Sequence, residues 1–549
     1  MVMPETEPTS GALAIDLAEF IAGLNERRLA AYATEPADIL EHHGIEENVL
    51  AGGYGYRQLL ELVQNGVDAM IEGPVPANGS RNPGRVDVIL DYSTLYVANT
   101  GAPLSKGGIG TLHRSHASTK RGDQIGRFGL GFKSLLRLNG KIDLFSKSIA
   151  FRFDPEKCSH ELQRIRPGDA PGLRLSWILD AAPHIANDRR LASLWDWATT
   201  VIRAEVNVPA VLTRLEEEMA SFPAEFLLFL PMPVSVRLDN GKGLVRELQT
   251  TREADGTVLL HDGEHSTRWR VEQRDVHITD EAAKNDATHI HQRESVPVAW
   301  ALPLDSRGEQ RGRFWFCFPT STQTRLPGIL NAPWKLNSDR NAIIGGEWNK
   351  ALMTEAAQLV VETLPRLGTA SAPAKLLDYF PRQLDRNDEI AAPLVTTIWD
   401  LLEQTPIVPD ATAQAESRKG CELWRHPLDN VQLAVEWAAL ASSEERSQMV
   451  HPSCCQSDDR ISRLKALAAR LKPQAGVSDI QRPNLRCRDV VGWFADVSSV
   501  VETISKLITM LHHGVTWNQS PFLCRKAGRS CLNWKSLEMP VFRRRFWTD

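Results

Sequence analysis

The stretch "LLELVQNGVDAM", residues 59–70, constrains this chain more than any other. Leu59, Leu60, Val63, Val67 and Met70 recur at helical spacing, so the segment reads as an amphipathic α-helix with one apolar side. Glu61, Asn65 and Asp68, at i, i+4 and i+7, fall together on the other edge. Taken alone, such a stripe is what a solvated helix face looks like. The Asn-Gly pair resists that reading, because both are weak helix formers and the glycine alone costs about 1 kcal/mol mid-helix. A face whose only task is to meet water is better filled with Lys, Glu or Ala.

A second glycine-dense stretch follows, "STKRGDQIGRFGLGFKS" at residues 118–134. Gly126, Gly129 and Gly131 spell G-x-x-G-x-G, a spacing that lets the backbone turn tightly and bring its N–H groups to an anion. A helix starting at residues 128–133 would add its positive end, and Lys120, Arg121 and Lys133 could add full charges. The stretch is nearly a Walker-type phosphate loop. Phe132 stands where that motif needs lysine, however, and the preceding "SHASTKRGDQ" is polar rather than a buried strand, so that version is rejected. Between the two stretches, "RVDVILDYSTLYVANTG" (85–101) reads as two strands joined by a turn at residues 91–94, ending in an N-T-G turn. The β-branched run "WATTVIRAEV" (197–206) reads as a further strand.

A helix bearing E-x-x-x-N-x-x-D-A, a strand ending in N-T-G, then G-x-x-G-x-G, then a Thr-bearing strand resembles, in that order, the GHKL ATPases. These include gyrase, the 90-kDa heat-shock chaperones, histidine kinases and MutL. The resemblance implies a Bergerat ATP-binding fold, an α/β (α+β sandwich) arrangement with helices on one face of a mixed, mostly antiparallel sheet. It also implies ATP and Mg2+ as ligands. Glu61 then matches the glutamate that orients the attacking water, and Asn65 the magnesium-binding asparagine, whose neutral amide oxygen suits a hard cation that keeps several waters. Asp68 would hold the helix and its water network, and Ala69 would leave room for the nucleotide. Lys120, Gly126, Phe128, Gly129, Leu130, Gly131 and Phe132 would form the phosphate-side loop. On the adenine side the chain departs from the family pattern. Asn99, two residues before Gly101, stands where most members carry aspartate; its amide oxygen can still accept from an amino group. Thr200 aligns with the family's adenine-side threonine, with Thr199 as the alternative. Residues 103–125 would form an ATP lid with a hinge-like Gly107-Gly108-Ile109-Gly110 run, and His113 and His116 within it are expected at the surface.

The resemblance extends to about residue 365. "LPGILNAPWKLNSDRNAI" (326–343) is similar to the heat-shock-chaperone middle domain and, more closely, to sacsin-like proteins. Arg340 in "LNSDR" is then the candidate for the arginine that reaches the γ-phosphate. The expected organisation is an ATP-binding domain at 1–206, a second α/β domain at 207–369 and a mostly helical region of unknown role at 370–549. Within the second domain, residues 256–273 read as a hairpin about Asp262-Gly263, while 296–304 and 313–318 are expected to pair as strands.

The implied function is a conformational machine with slow Mg-dependent ATP hydrolysis, protein clients and a homodimeric state. One alternative is the same engine in a nucleic-acid-linked or host-defence system, motivated by basic residues near the end such as Arg543, Arg544 and Arg545. Another is a non-hydrolysing nucleotide-binding scaffold, left open by Asn99. A histidine kinase is disfavoured, since no dimerisation helix with a phospho-accepting histidine precedes the ATP domain. The formal net charge of −5 over 549 residues points to neither nucleic acid nor membrane. Eight cysteines without a CxxC pair form neither a disulfide framework nor a zinc motif, and His451, Cys454 and Cys455 are read as structural. No basic-then-apolar leader and no membrane span are legible, so a cytoplasmic setting is expected.

Overall fold

A computed structural model of the chain describes residues 10–51, 58–73, 83–113, 131–287, 295–305, 311–337, 340–382, 384, 389–423, 431–441 and 443–471. The chain divides into two compact units, Met1–Thr324 with Gly328–Leu352, and Arg325–Pro327 with Met353–Asp549.

The first unit is mixed α/β and is built on a large, mostly antiparallel sheet. Three helices open it: α1 (Ser10–Thr34), α2 (Ala37–Ala51) and α3 (Gln58–Glu72). The hairpin β1 (Gly84–Asp91) and β2 (Thr94–Asn99) follows, then the short helix α4 (Lys106–Leu112) and a 3₁₀ segment Gly131–Leu138. Strands β3 (Ile142–Ser146) and β4 (Ala150–Phe153) precede α5 (Pro155–Gln163), β5 (Trp177–Ile178), α6 (Ala181–Asn187), α7 (Arg189–Trp195) and β6 (Thr200–Glu205). Helix α8 (Pro209–Ala220) leads to β7 (Val234–Asp239), β8 (Val245–Arg252), β9 (Val258–Asp262) and β10 (His265–Val276). The unit's remaining elements are α9 (Glu281–Asp286), β11 (Val296–Pro303), β12 (Arg311–Phe316), β13 (Phe318–Pro327), β14 (Ile329–Asn331) and the start of α10 (Glu347–Thr363).

Among the described residues the strand order is β13-β12-β14-β11-β10-β9-β8-β7-β1-β2-β6-β3-β4-β5. The sheet runs on past residue 207 because β7 adds parallel to β1, pairing Gly84 with Val234 and Ile89 with Asp239. The period-two alternation of β1 and β2 decides which layer each face meets. Val86, Val88, Leu90, Leu95 and Val97 face the main core with Leu17 and Ile21 of α1 and Leu59, Leu62, Val63 and Val67 of α3. Ile89, Tyr96 and Ala98 point the other way, onto Leu191 and Leu194 of α7. The expected layer of helices on one face is thus joined by a smaller layer on the other.

The expected hairpin about Asp262-Gly263 is present as β9 and β10, with Gly263 at φ +59°. The expected pairing of 296–304 with 313–318 is not. β14 lies between β11 and β12, antiparallel to one and parallel to the other. Gly328 makes the insertion fit: at φ +79°, a Cβ there would stand 2.3 Å from the Ala301 carbonyl oxygen.

Among its described residues the second unit is largely helical. It holds α11 (Ala392–Gln404), the strand pair β15 (Val408–Pro409) and β16 (Ser417–Arg418), α12 (Val431–Leu440), α13 (Ser443–Arg446) and α14 (Asp458–Leu471). Arg460 of α14 grips Asp378 through two hydrogen bonds of 2.7 and 2.6 Å. His451 caps a 3₁₀ turn, its Nδ1 accepting from the Ser453 N–H at 3.2 Å, and Cys454 and Cys455 are buried beside it. Among the described residues no helix is long and apolar enough to cross a membrane.

Candidate functional site

The polar edge of α3 does not face open water. Asp68 is 1% exposed, the Glu61 side chain 12%, and Asn65 is half-buried. The helix is seated by its apolar side and by its N-terminus, where the Leu59 N–H donates to Glu218 Oε2 of α8 at 3.3 Å. A carboxylate there complements the unpaired N–H groups of the first turn.

The mid-helix glycine has a structural cause. A Cβ on Gly66 would stand 3.1 Å from Asn99 Cβ and 3.2 Å from Val86 Cγ2, so the bare backbone lets α3 lie close on the ends of β1 and β2. One turn on, the Ala69 carbonyl accepts the Ala102 N–H at 2.8 Å and ties α3 to the turn after β2. Gly101 in that turn has φ +112°, and a Cβ on it would overlap the Ala69 and Met70 backbone at 2.6 Å. Glu61, Asn65, Asp68 and Ala69 are thereby locked in register with Asn99 and Gly101.

Asn99 is 7% exposed, and its Nδ2 donates to the Thr100 carbonyl at 2.7 Å. Since the nitrogen faces an oxygen that can only accept, the Asn99 side-chain oxygen is its acceptor edge. Asn99 is cross-strand partner of Thr200, and Thr200 of Ser146, so the three share the sheet face that α3 covers. Thr200 Oγ1 donates to Ser146 Oγ at 3.2 Å, and Ser146 Oγ also takes the Leu104 N–H at 3.0 Å. Thr199 instead gives its backbone N–H to the Asn99 carbonyl at 2.9 Å. Ser146 was not among the residues expected from sequence. A serine ending the run "IDLFS" carries no local signal, and its importance comes from a cross-strand register.

Lys120, Gly126, Phe128, Gly129 and Leu130 lie outside the described residues. The 3₁₀ segment begins at Gly131 and packs into the core beneath α3, with the Phe132 ring 5.2 Å from that of Phe153. Lys133 does not serve as a phosphate charge. Its Nζ is buried, donates to the Leu173 carbonyl at 2.7 Å and lies 3.6 Å from Glu46 of α2. Burial pulls its pKa from 10.5 down to about 7, against the pull of the Glu46 carboxylate.

His113 is also corrected, from surface to core; His116 lies outside the described residues. The expected hinge run 107–110 is part of α4, capped by Ser105 Oγ accepting from the Gly108 N–H at 3.2 Å and pinned by the fully buried Ile109. His113 closes that helix, with Nδ1 at 2.9 Å from the Ile109 carbonyl and Nε2 at 2.8 Å from Ser176 Oγ. A carbonyl only accepts, so Nδ1 carries the hydrogen and Nε2 accepts from the serine. Burial lowers this histidine's pKa from 6.5 to about 3.

Arg340 reaches the helix edge from far along the chain. Its Nη1 donates to Glu61 Oε1 at 3.2 Å across 279 positions, and the two side chains are 11% and 12% exposed. Its backbone has φ +54°, left-handed for a non-glycine residue. Asn337 holds it there. The Asn337 carbonyl accepts the Arg340 N–H at 3.0 Å, while Asn337 Oδ1 accepts from the N–H groups of Asn341 and Ala342 at 3.0 and 3.2 Å. The loop is tied to β13 through Ser321, whose N–H and hydroxyl both donate to the Asn341 carbonyl at 2.6 and 2.8 Å.

Compared with protein-family models and with curated proteins, the chain matches none.

Proposed function

We propose that residues 1–206 form a Bergerat-type ATP-binding fold of the GHKL class, and that the protein hydrolyses ATP slowly to ADP and phosphate to drive a conformational cycle. The observation that carries this reading is the Glu61–Arg340 pair, set on a helix edge locked to the Asn99–Gly101 turn. It supplies a water-orienting carboxylate, an arginine for the terminal phosphate and a polar strand end for the base, in one small region. In this reading Glu61 accepts a hydrogen bond from the attacking water and aligns it, while Arg340 gathers charge on the transferring phosphoryl group.

The residues present suit magnesium. Among the described residues no group of three or more His, Cys, Asp or Glu converges as a cage. Magnesium held mainly by phosphate oxygens and water needs only one or two protein oxygens, and Asn65, half-buried one turn beyond Glu61, offers one. The bound ion would neutralise phosphate charge. In this reading the Asn99 amide oxygen accepts from the adenine amino group, supported by its Nδ2 being turned to the Thr100 carbonyl and by Thr200 and Ser146 lying in register with it on the same sheet face.

The test is nucleotide binding and turnover. Glu61→Ala is expected to bind Mg-ATP and lose hydrolysis; Asn65→Ala is expected to lose Mg-ATP binding. Equal hydrolysis by wild type and both variants would discard the assignment.

A further inference from the structure

On the sheet face away from α3, the layer of α6 and α7 covers charged as well as apolar side chains. Tyr96, Arg203, Asp143 and Arg152 are cross-strand partners in turn and form a polar ladder across β2, β6, β3 and β4. Tyr96, Arg203 and Asp143 each lie three positions from Asn99, Thr200 or Ser146 on the same strand, an odd offset that puts them on the opposite face. This ladder neutralises itself. Arg203 donates to Asp143 Oδ2 through Nε at 3.2 Å and Nη2 at 2.6 Å, and to Asp188 Oδ2 through Nη1 at 2.9 Å. Arg152 donates twice to Asp143, at 2.6 and 3.1 Å. Asp188 also takes the Tyr96 hydroxyl and the Leu191 N–H, both at 2.9 Å.

Beside this ladder, between α6, the start of α7 and the end of β1, lies a cavity of about 510 Å³ whose lining includes Asp91, His184, Asn187, Arg189, Arg190 and Arg203. Its rim is not neutral, since Arg189 and Arg190 stand against one carboxylate, Asp91. Arg190 meets Asp91 in a loose ion pair of 3.5 Å, and the exposed Arg189 side chain makes no hydrogen bond or ion pair with any described residue. His184 adds a donor. Its Nδ1 lies 3.1 Å from Arg203 Nη2, and a guanidinium only donates, so Nδ1 accepts and the ring hydrogen sits on Nε2. Asn187 gives its Nδ2 to the Pro183 carbonyl at 2.8 Å, which leaves its amide oxygen as an acceptor. Two guanidinium forks and an imidazole N–H are a donor set suited to an oxyanion. We propose that this cavity binds a small ligand through a phosphate or carboxylate group, held by Arg189 and Arg190 and met by the His184 Nε2–H. The ligand competes with Asp91 for Arg190, and a hydroxyl on it is met by the Asn187 amide oxygen. The site stands on the face opposite the α3 edge and does not depend on the nucleotide reading.

Equilibrium dialysis of the full chain against radiolabelled inorganic phosphate, and separately against radiolabelled succinate, tests this at constant ionic strength. Arg189→Ala and Arg190→Ala are each expected to weaken binding by about 10-fold, the scale of a charge-assisted hydrogen bond. Arg190→Lys keeps the charge but loses the fork, and is expected to weaken binding nearly as much. Asp91→Asn removes the competing carboxylate and is expected to tighten binding by roughly 2- to 5-fold, a gain that a misfolded protein would not show. That pattern supports the site whether phosphate, succinate or both bind, and the anion that binds names the ligand's acidic group. Arg190→Lys binding as well as wild type, with loss only in the alanine variants, would mean diffuse attraction to surface charge and overturns the site. Anion binding abolished by Asn65→Ala and untouched by the rim variants would place the anion at the α3 edge and also overturns it. So does a wild type that binds neither anion at millimolar concentration. None of these outcomes decides whether wild type binds Mg-ATP, so the cavity and the nucleotide site fail separately.

Discussion

Gly66 and Gly101 show how a single missing methyl group can set the geometry of a site. The cost of a glycine inside the 59–70 helix was visible in the sequence, and it argued that this helix does more than face water. What the glycine avoids was not visible, because Asn99 and Val86 come from strands 20 or more positions away. Gly101 is the stricter case. It combines φ +112° with an overlap of 2.6 Å on backbone atoms that cannot rotate aside. Gly101→Ala is therefore expected to cost about 3 kcal/mol or more, from strain at positive φ plus displacement of the α3 backbone. Gly256→Ala is the control: its φ is +84°, but a Cβ there meets nothing within 4 Å. That change should cost only about 1 kcal/mol. Urea unfolding of the two variants checks both, and equal costs would mean that the contact with Ala69 does not matter.

At the scale of elements, the parts that were legible are those governed by near neighbours. The 59–70 helix, the hairpin at residues 85–99, the strand now spanning Thr200–Glu205 and the hairpin about Asp262-Gly263 all follow from local periodicity and turn chemistry. The insertion of β14 between β11 and β12 did not follow, since strand order is decided by contacts far apart in sequence. Nor did the burial of His113. A histidine in a glycine-rich polar run reads as surface until Ile109 is seen to anchor the helix before it. The role proposed for Arg340 comes only from the resemblance, and the turn that presents its side chain is visible only in three dimensions. That turn supplies a prediction at its own scale. Asn337→Ala leaves the N–H groups of exposed Asn341 and half-buried Ala342 without their acceptor, a loss of about 0.5–1.5 kcal/mol where water can take its place. Asn337→Asp keeps the acceptor. If Asn337 positions Arg340, the alanine variant loses hydrolysis rate with little change in Mg-ADP affinity, and the aspartate variant recovers most of the rate. Steady-state turnover with ADP titration reads this, and equal rates in the two variants would assign Asn337 to folding alone.

At the scale of the first unit, the buried ionisable groups bias the dependence of stability on pH, and no local sequence feature announces this. His113 has its pKa lowered from 6.5 to about 3 and Lys133 from 10.5 to about 7, both by burial. In each window the unfolded chain holds a proton that the folded chain has shed, so stability rises with pH, from about 3 to 6.5 and again from about 7 to 10.5. Cys158 and Tyr32 act in the opposite sense. Burial raises the thiol from 9.0 to about 11 and the phenol from 10.0 to about 12. There the folded chain keeps the proton, and stability is lost as pH climbs through those windows. Up to about pH 9 the histidine and lysine act unopposed; beyond it the thiol and then the phenol cancel and outweigh the lysine. The expected maximum lies at about pH 9, on the alkaline side of the usual range of about 5 to 8. Two variants apportion the slope. His113→Phe should flatten the profile between about 3 and 6.5, and Lys133→Met should flatten it above 7, whatever each does to stability at a single pH. Denaturant unfolding across that range tests both. A wild-type maximum at or below pH 7 that Lys133→Met leaves in place would mean that Lys133 stays protonated beside Glu46. The fold would then carry that charge as a buried ion pair rather than shedding it.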